Sequence, residues 1–394
     1  MAILFHDFDD ITIRWGTDSK KYGLYPKDVI PMWIADSDFK SPQAVIDALA
    51  QRLQHGIFGY PSESQRLKKA VSLWEGKRHA FEVTPDWVTF IPGVVGGLVC
   101  AIRAFSRPGD KVLIQTPCYP PFAASIENNG RRVLCNPLLL KEERYEIDFG
   151  HFERLCQDSQ TRLFILCNPQ NPTGRVFSEF ELREMARICM ENDILILSDE
   201  IHCDIVYPPQ QHIPMASLSP KIADYCVTFI SASKTFNLPG FRTAVTIASN
   251  SILRSRIHDV LTANKATGQN IMGTLASCVA FESGTDYADQ LVRYLKKNLD
   301  LAKVKLKKTK LRLVNPEGTY LLWLDCREVT EDPDKLMEFF VRKAKVGVQN
   351  GTDFGEEGRG FVRINIACPH SILDDALRRI QDCFEDGISQ ATVA

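Results

Sequence analysis

The sequence predicts an α/β fold: a doubly wound large lobe with a mainly parallel sheet between helices, followed by a smaller α+β lobe. Three observations predict it. The 394 residues are enough for two lobes with full cores. Short, continuously apolar runs recur: "KVLIQ" (111–115), "RLFILCN" (162–168), "DILILS" (193–198) and "CVTFI" (226–230). Such runs suit strands buried on both faces of a parallel sheet. Helical stretches lie between them, as at 178–191, where Ser178 is placed to cap the amino end and Glu181 follows three residues on. That β-α-β rhythm implies helices on both sides of the sheet.

The elements follow in order. The first forty residues are loop-rich and are expected to pack onto a lobe. "PGVVGG" (92–97) precedes an apolar helix, "LVCAIRAF". The alternating middle of the chain runs to about residue 281. A long basic amphipathic helix (286–308) then leads into a strand at "TYLLWLDC", another helix, the strand-like "GFVRINIACP", and a closing helix. The expected division is an N-terminal segment, 1–45, packing with the small domain, a large domain at 46–283, and a small domain at 284–394.

Composition narrows the function classes. With 44% hydrophobic and 24% charged residues the chain reads as an ordinary globular protein. Its 47 basic and 49 acidic residues nearly cancel, which removes the electrostatic reason to expect a nucleic-acid or membrane partner. No stretch is apolar for long enough to span a bilayer. The start, "MAILFHDFDD", turns acidic where a signal peptide needs a basic flank. The twelve cysteines are scattered, the closest pair (Cys156 and Cys167) being eleven residues apart. Neither a metal site nor a disulfide framework is expected, and the thiols read as buried small hydrophobes of a cytoplasmic protein.

Ligands of doubly wound sheets collect beyond the carboxyl ends of the strands. Three consecutive exits carry polar groups: "NPQNPTG" (168–174), "DEIH" (199–202) and "SASKTFNLPGFR" (231–242). Singly, each has a plain structural explanation: a turn, a helix cap, a solvated charge. Together they bring an amide, a carboxylate and a lysine to one edge. A lysine with a lowered pKa is a Schiff-base nucleophile. A buried carboxylate keeps a pyridinium protonated, an amide steadies a phenolate, and serines with an arginine hold a phosphate dianion. That set of groups describes pyridoxal phosphate.

The order "NPxNPTG", aspartate, "SxSK" and an arginine eight residues later resembles the class I/II aminotransferase-like enzymes of fold type I, whose large domain has a mainly parallel seven-stranded sheet. The resemblance implies that Lys234 carries the cofactor as a Schiff base, Asp199 pairs with its ring nitrogen and Asn171 with its phenolate. It places Ser231, Ser233 and Arg242 on the phosphate, with the backbone of Gly93, Val94 and Val95 at a positive helix end. Tyr119 would stack on the ring, and His202 would also line the cofactor site. Arg363, inside the strand-like "FVRIN", is costly there as an unpaired cation. Its bland reading is an internal salt bridge; the family reading is a clamp on the substrate α-carboxylate, joined by Ala35, Asn171 and Tyr119.

"PMWIADSDF" (31–39), "HGIFGY" (55–60), "SDEIH" (198–202) and "GEEGRGFVRIN" (355–365) further resemble the MalY/PatB group of cystathionine β-lyases and related C–S lyases. That resemblance runs from about residue 25 to the last helix. It implies α,β-elimination from cystathionine or another S-substituted L-cysteine to a thiol, pyruvate and ammonia, with Lys234 as base. It also implies a homodimer in which Tyr60 reaches the neighbouring active site. Ser37, Pro120 and Thr243 depart from the usual pattern. The alternatives are an aminotransferase of the same fold and a cofactor-bound, partner-binding protein.

Overall fold

The computed structural model describes residues 5–391. Its central sheet has seven strands: β1 (Val88–Ile91), β2 (Lys111–Thr116), β3 (Arg132–Pro137), β4 (Thr161–Cys167), β5 (Leu195–Asp199), β6 (Cys226–Ile230) and β7 (Ala244–Ile247). They lie in the order β1-β7-β6-β5-β4-β2-β3. Only β7 runs against its neighbours, pairing antiparallel with β6 and β1. The four apolar runs became strands within two residues of their expected ends. β5 starts late, at Leu195, because Asp193 holds φ 55° and still belongs to the preceding turn. Every side chain of β6 is buried, as a strand covered on both faces requires.

Helices close both faces. Ser178 caps the helix Glu179–Glu191, and Glu181 completes the reciprocal capping box. The glycine-rich segment behaves differently from the expected loop-then-helix. The helix begins within it, at Val94, and runs to Phe105. Gly93 is its N-cap with φ 86°, a conformation open to glycine. Gly97, one turn in, faces β1 so closely that a Cβ there would stand 2.3 Å from Ile91 Cδ1.

The second sheet is antiparallel: β8 (Arg312–Leu313), β9 (Leu321–Asp325), β10 (Gln349–Asn350) and β11 (Phe361–Asn365), in the order β8-β9-β11-β10. Arg363 sits mid-strand on β11, opposite Trp323 on one side and Gln349 on the other. Trp323 and Phe361 stack at 5.2 Å. The long helices Thr285–Leu306 and His370–Ala391 complete this region. The loop-rich N-terminus packs against it, for Ile30–Pro31 pairs in parallel with Val346–Gly347, and Asp38 N–H donates to Ala367 C=O at 2.8 Å.

A buried charge cluster fastens the chain after β4 to the approach to β9. Arg175 is fully buried; its Nε meets Glu317 Oε2 at 2.9 Å and its Nη2 meets Glu181 at 2.8 Å. Glu317 also accepts from Val176 N–H at 2.8 Å and pairs with Arg144 at 3.0 Å. Removing one partner of a buried pair leaves uncompensated charge, at roughly 3–5 kcal/mol. Arg175→Met should therefore lower unfolding free energy by about 3–5 kcal/mol in urea titration, and a loss below about 1 kcal/mol, the scale of an exposed pair, would refute this role.

Candidate active site

The carboxyl ends of β4, β5 and β6 open on one cavity of about 510 Å³. Asn171, Asp199 and Lys234 line it from the three strand exits, so the sheet brings together what the sequence spaces apart. Asp199 is the last residue of β5 itself, which gives its carboxylate a rigid mount.

Lys234 Nζ donates to the Ala35 carbonyl at 2.7 Å, a contact across 199 residues of chain. Its pKa is lowered to about 8, first by its enclosure away from water and then by the Arg363 charge, with Asp36 and Asp199 pulling the other way. Asp199 is 3% exposed, and its Oδ1 accepts from Ile201 N–H at 3.1 Å. Burial pushes it up to about 7, against the backbone hydrogen bond and Lys234. His202 is 2% exposed, with Nδ1 unpartnered. Burial, then Lys234 and Arg363, hold it well below the usual histidine pKa, so it is neutral.

Arg363 is 2% exposed, and no ion pair with a carboxylate involves it among the described residues. The internal salt bridge is therefore not what holds it. Its Nη1 donates to Asn171 Oδ1 at 2.8 Å and its Nη2 to the Trp33 carbonyl at 2.9 Å, while Nε is buried with no partner. The guanidinium lies 4.9 Å from the Phe354 ring centroid, and burial lowers its pKa to about 10. A buried cation with neutral partners and a spare donor is suited to an incoming carboxylate. Because Asn171 spends its oxygen on Arg363, its amide N–H groups remain for an acceptor in the cavity.

The far end of the cavity is built for an anion. Gly93, Val94 and Val95 line it at the positive end of a twelve-residue helix, where the first N–H groups have no helical acceptor. Ser231, Ser233 and Arg242 line it too. Arg242 takes a left-handed φ of 48°, strain for a residue with a Cβ, and its N–H is tied to Pro239 C=O at 3.2 Å. Ser231 Oγ donates to Thr243 C=O at 2.7 Å and accepts from Ser233 N–H at 3.1 Å, so it also shapes the turn. A helix end, an arginine and hydroxyls opposite a lysine and an aspartate form a donor set that fits pyridoxal phosphate.

Comparison with known proteins agrees with this geometry. The profile of the family "Aminotransferase class I and II" matches residues 27–380. The chain belongs to that family. It is 39% identical over 372 residues to cystathionine β-lyase PatB of Bacillus subtilis, covering 94% of this chain and 96% of that protein. Cystalysin from Treponema denticola, solved with pyridoxal 5'-phosphate, superposes with TM-score 0.94 at 31% identity, over 97% of this chain and 100% of that one. The pyridoxal-phosphate-bound C–S lyase of Staphylococcus hominis gives 0.89 at 32%, over 96% and 98%.

Within this aminotransferase fold, two residues singled out from sequence stand apart. Tyr119 is half-buried on the cavity wall, edge-on to Phe122 at 5.8 Å, its hydroxyl pKa raised by burial. Tyr60 is not in the cavity; it is fully exposed beside Ile57 and Phe58. Sequence reading missed residues that hold the site's roof. Asn365 Nδ2 donates to Ile34 C=O at 2.7 Å and to Asp36 C=O at 2.6 Å, and Tyr320 hydroxyl to Ala35 C=O at 3.1 Å. Asn237, three residues after the lysine, donates to Ser37 and Phe39 carbonyls at 3.0 and 2.8 Å. An asparagine inside a buried strand carries the same signal as Arg363, a costly polar group there, and would have singled out Asn365.

The raised Asp199 pKa has a definite sign in stability. Between about pH 4, where the unfolded group titrates, and about 7 the folded protein keeps a proton that the unfolded chain has lost. Stability conferred at low pH is thus lost as pH rises through that window. In cofactor-free protein the stability of wild type relative to Asp199→Asn should fall from pH 4 to 7, measured by denaturant titration; a flat difference would contradict the assignment.

Proposed function

We propose that this chain is a pyridoxal-phosphate-dependent C–S β-lyase acting on cystathionine or related S-substituted L-cysteines, yielding a thiol, pyruvate and ammonia. The observation that carries the reading is a low-pKa lysine in the cavity together with a buried arginine, Arg363, whose Nε lacks a partner and whose Nη1 donates to the cavity-lining Asn171. The relatives named as cystathionine β-lyase and C–S lyase support the choice of reaction.

Lys234 would hold the cofactor, with Ser231, Ser233, Arg242 and the helix end at Gly93 on its phosphate and Asn171 on its phenolate. When bound, the cofactor supplies an electron sink for the substrate's α-carbon. Arg363 binds the amino acid's carboxylate, which fixes the α-hydrogen toward Lys234. The Lys234 amine, with a pKa near 8, is free base in a useful fraction at neutral pH and removes that proton. Asp199 holds a proton at the ring nitrogen. Lys234 or Tyr119 returns a proton to the departing sulfur. The roof of residues 33–37 keeps bulk water off the lysine.

The exposed Tyr60, Ile57 and Phe58 support a homodimer in which Tyr60 completes the partner's phosphate site. The ten buried cysteines are all thiols, which suits the reducing cytoplasm. No helix among the described residues is long and apolar enough to cross a membrane.

Incubated with L-cystathionine and no keto acid, the enzyme should release pyruvate and free thiol; strict dependence on an added keto acid would make it an aminotransferase instead. Lys234→Ala protein should be inactive and Tyr60→Phe protein impaired. Mixing the two should restore activity, because the hybrid has one site with both groups. If Tyr60 served its own subunit, no hybrid site would be whole and mixing would restore nothing.

A further inference from the structure

A second cavity, of about 530 Å³, lies away from the active site and is lined by His79, Cys203, Asp204 and His212 among others. Behind its wall is Glu75, one helical turn before His79 on the helix Gln65–His79, so the two side chains share a face. Cys203 comes from the turn that follows β5. One ligand atom from each of Glu75, His79 and Cys203 lies within 4.8 Å of the other two. A carboxylate oxygen, an imidazole nitrogen and a thiolate are the ligand types of zinc.

Two independent features suggest that something is received there. Glu75 is 1% exposed and its Oε1 is buried without a hydrogen-bond partner. His212, 8% exposed, leaves Nδ1 unpartnered, with its ring 5.2 Å from that of His79. The surrounding groups are already engaged. Asp204 accepts from Trp74 Nε1 (3.1 Å), Thr235 Oγ1 (2.8 Å) and His79 Nε2 (3.1 Å), the carboxylate–histidine contact that orients metal-ligating imidazoles. Arg78, which lines the same cavity, is paired with Asp204 at 3.0 Å and Asp289 at 2.7 Å. Glu200 takes Ser198 Oγ at 2.7 Å and His212 Nε2 at 2.9 Å. Glu75 Oε1 has no such partner; burial raises Glu75 to about 8 and pushes the Cys203 thiol up, so both hold protons that a divalent cation would displace.

The geometry points to a zinc-type divalent cation site formed by Glu75, His79 and Cys203, clamping the helix Gln65–His79 to the turn that follows Asp199 and carries His202. Ligands at roughly 2.0–2.3 Å from a tetrahedral ion stand about 3.5 Å apart, so atoms that lie within 4.8 Å of one another must close by up to about 1.3 Å. Binding releases the Cys203 thiol proton and the Glu75 carboxyl proton to solvent and leaves the cavity side open for a water or His212. No cysteine spacing announces this site, because its residues come from 128 positions of chain, Glu75 to Cys203.

The test uses cofactor-loaded enzyme titrated with Co²⁺ and with Zn²⁺. Wild type should take up one Co²⁺ per chain with a thiolate charge-transfer band and visible bands of tetrahedral cobalt, and Zn²⁺ should raise its melting temperature. Cys203→Ser should lose the charge-transfer band, and Glu75→Gln should bind more than about tenfold more weakly, whereas Cys135→Ser, which removes an exposed thiol, should behave as wild type. Circular dichroism and cofactor absorbance check each variant's fold. Should Cys203→Ser not fold, Glu75→Gln, which preserves shape, decides. Absence of stoichiometric uptake, or equal uptake by wild type and Glu75→Gln, would overturn the site.

Discussion

The structure depends most on the arrangement around Arg363, a guanidinium held in the middle of a buried strand with only neutral partners. Leaving a cation without a counter-charge in a low-dielectric interior is unfavourable. The protein accepts that cost and distributes it over Asn171 Oδ1, the Trp33 carbonyl and the face of Phe354. The same charge helps depress the Lys234 pKa. One residue therefore offers an uncompensated positive charge beside the cavity and tunes the lysine within it. Functional sites commonly keep such unfavourable electrostatics.

That arrangement needs a roof, and the N-terminal segment provides it with carbonyl oxygens. The carbonyls of residues 33–37 and 39 face Arg363, Asn365, Lys234, Tyr320 and Asn237, which come from the strands of the small sheet, the approach to them and the turn after β6. Two aspartates in the segment are tied back by Arg14 and Lys21, at 2.9 and 2.8 Å. Ser37 lies in that roof with its backbone bonded to Asn237, so its departure from the family pattern leaves the frame unchanged and alters only the short side chain. Pro120 similarly stands just before the short helix Pro121–Glu127, where its fixed φ suits a helix start.

The two ends of the cavity divide the work by sheet. The large sheet's strand exits present Lys234, Asp199, Ser231 and Ser233 to the cavity from rigid mounts. The small sheet supplies the buried Arg363 through β11. Asn171 joins them, because its oxygen serves Arg363 and its amide hydrogens face the cavity. A substrate that engages Arg363 is thereby positioned against groups carried by the other sheet.

The sequence by itself determined the strands, their parallel majority and the three polar exits. Buried parallel strands read as apolar runs, and their topology sends consecutive exits to one edge whatever the rest of the fold does. The lysine, aspartate, asparagine and phosphate groups were legible for that reason, and so was Arg363, as a charge in an apolar run. Only the tertiary structure decided what those groups touch. Arg363 meets Asn171 across 192 positions and Lys234 meets Ala35 across 199. The helix that starts inside its glycine segment, the carbonyl roof and the Glu75–His79–Cys203 cluster were likewise invisible beforehand. Contacts of that span depend on how two sheets and a loop pack together, and local residue patterns carry no record of it.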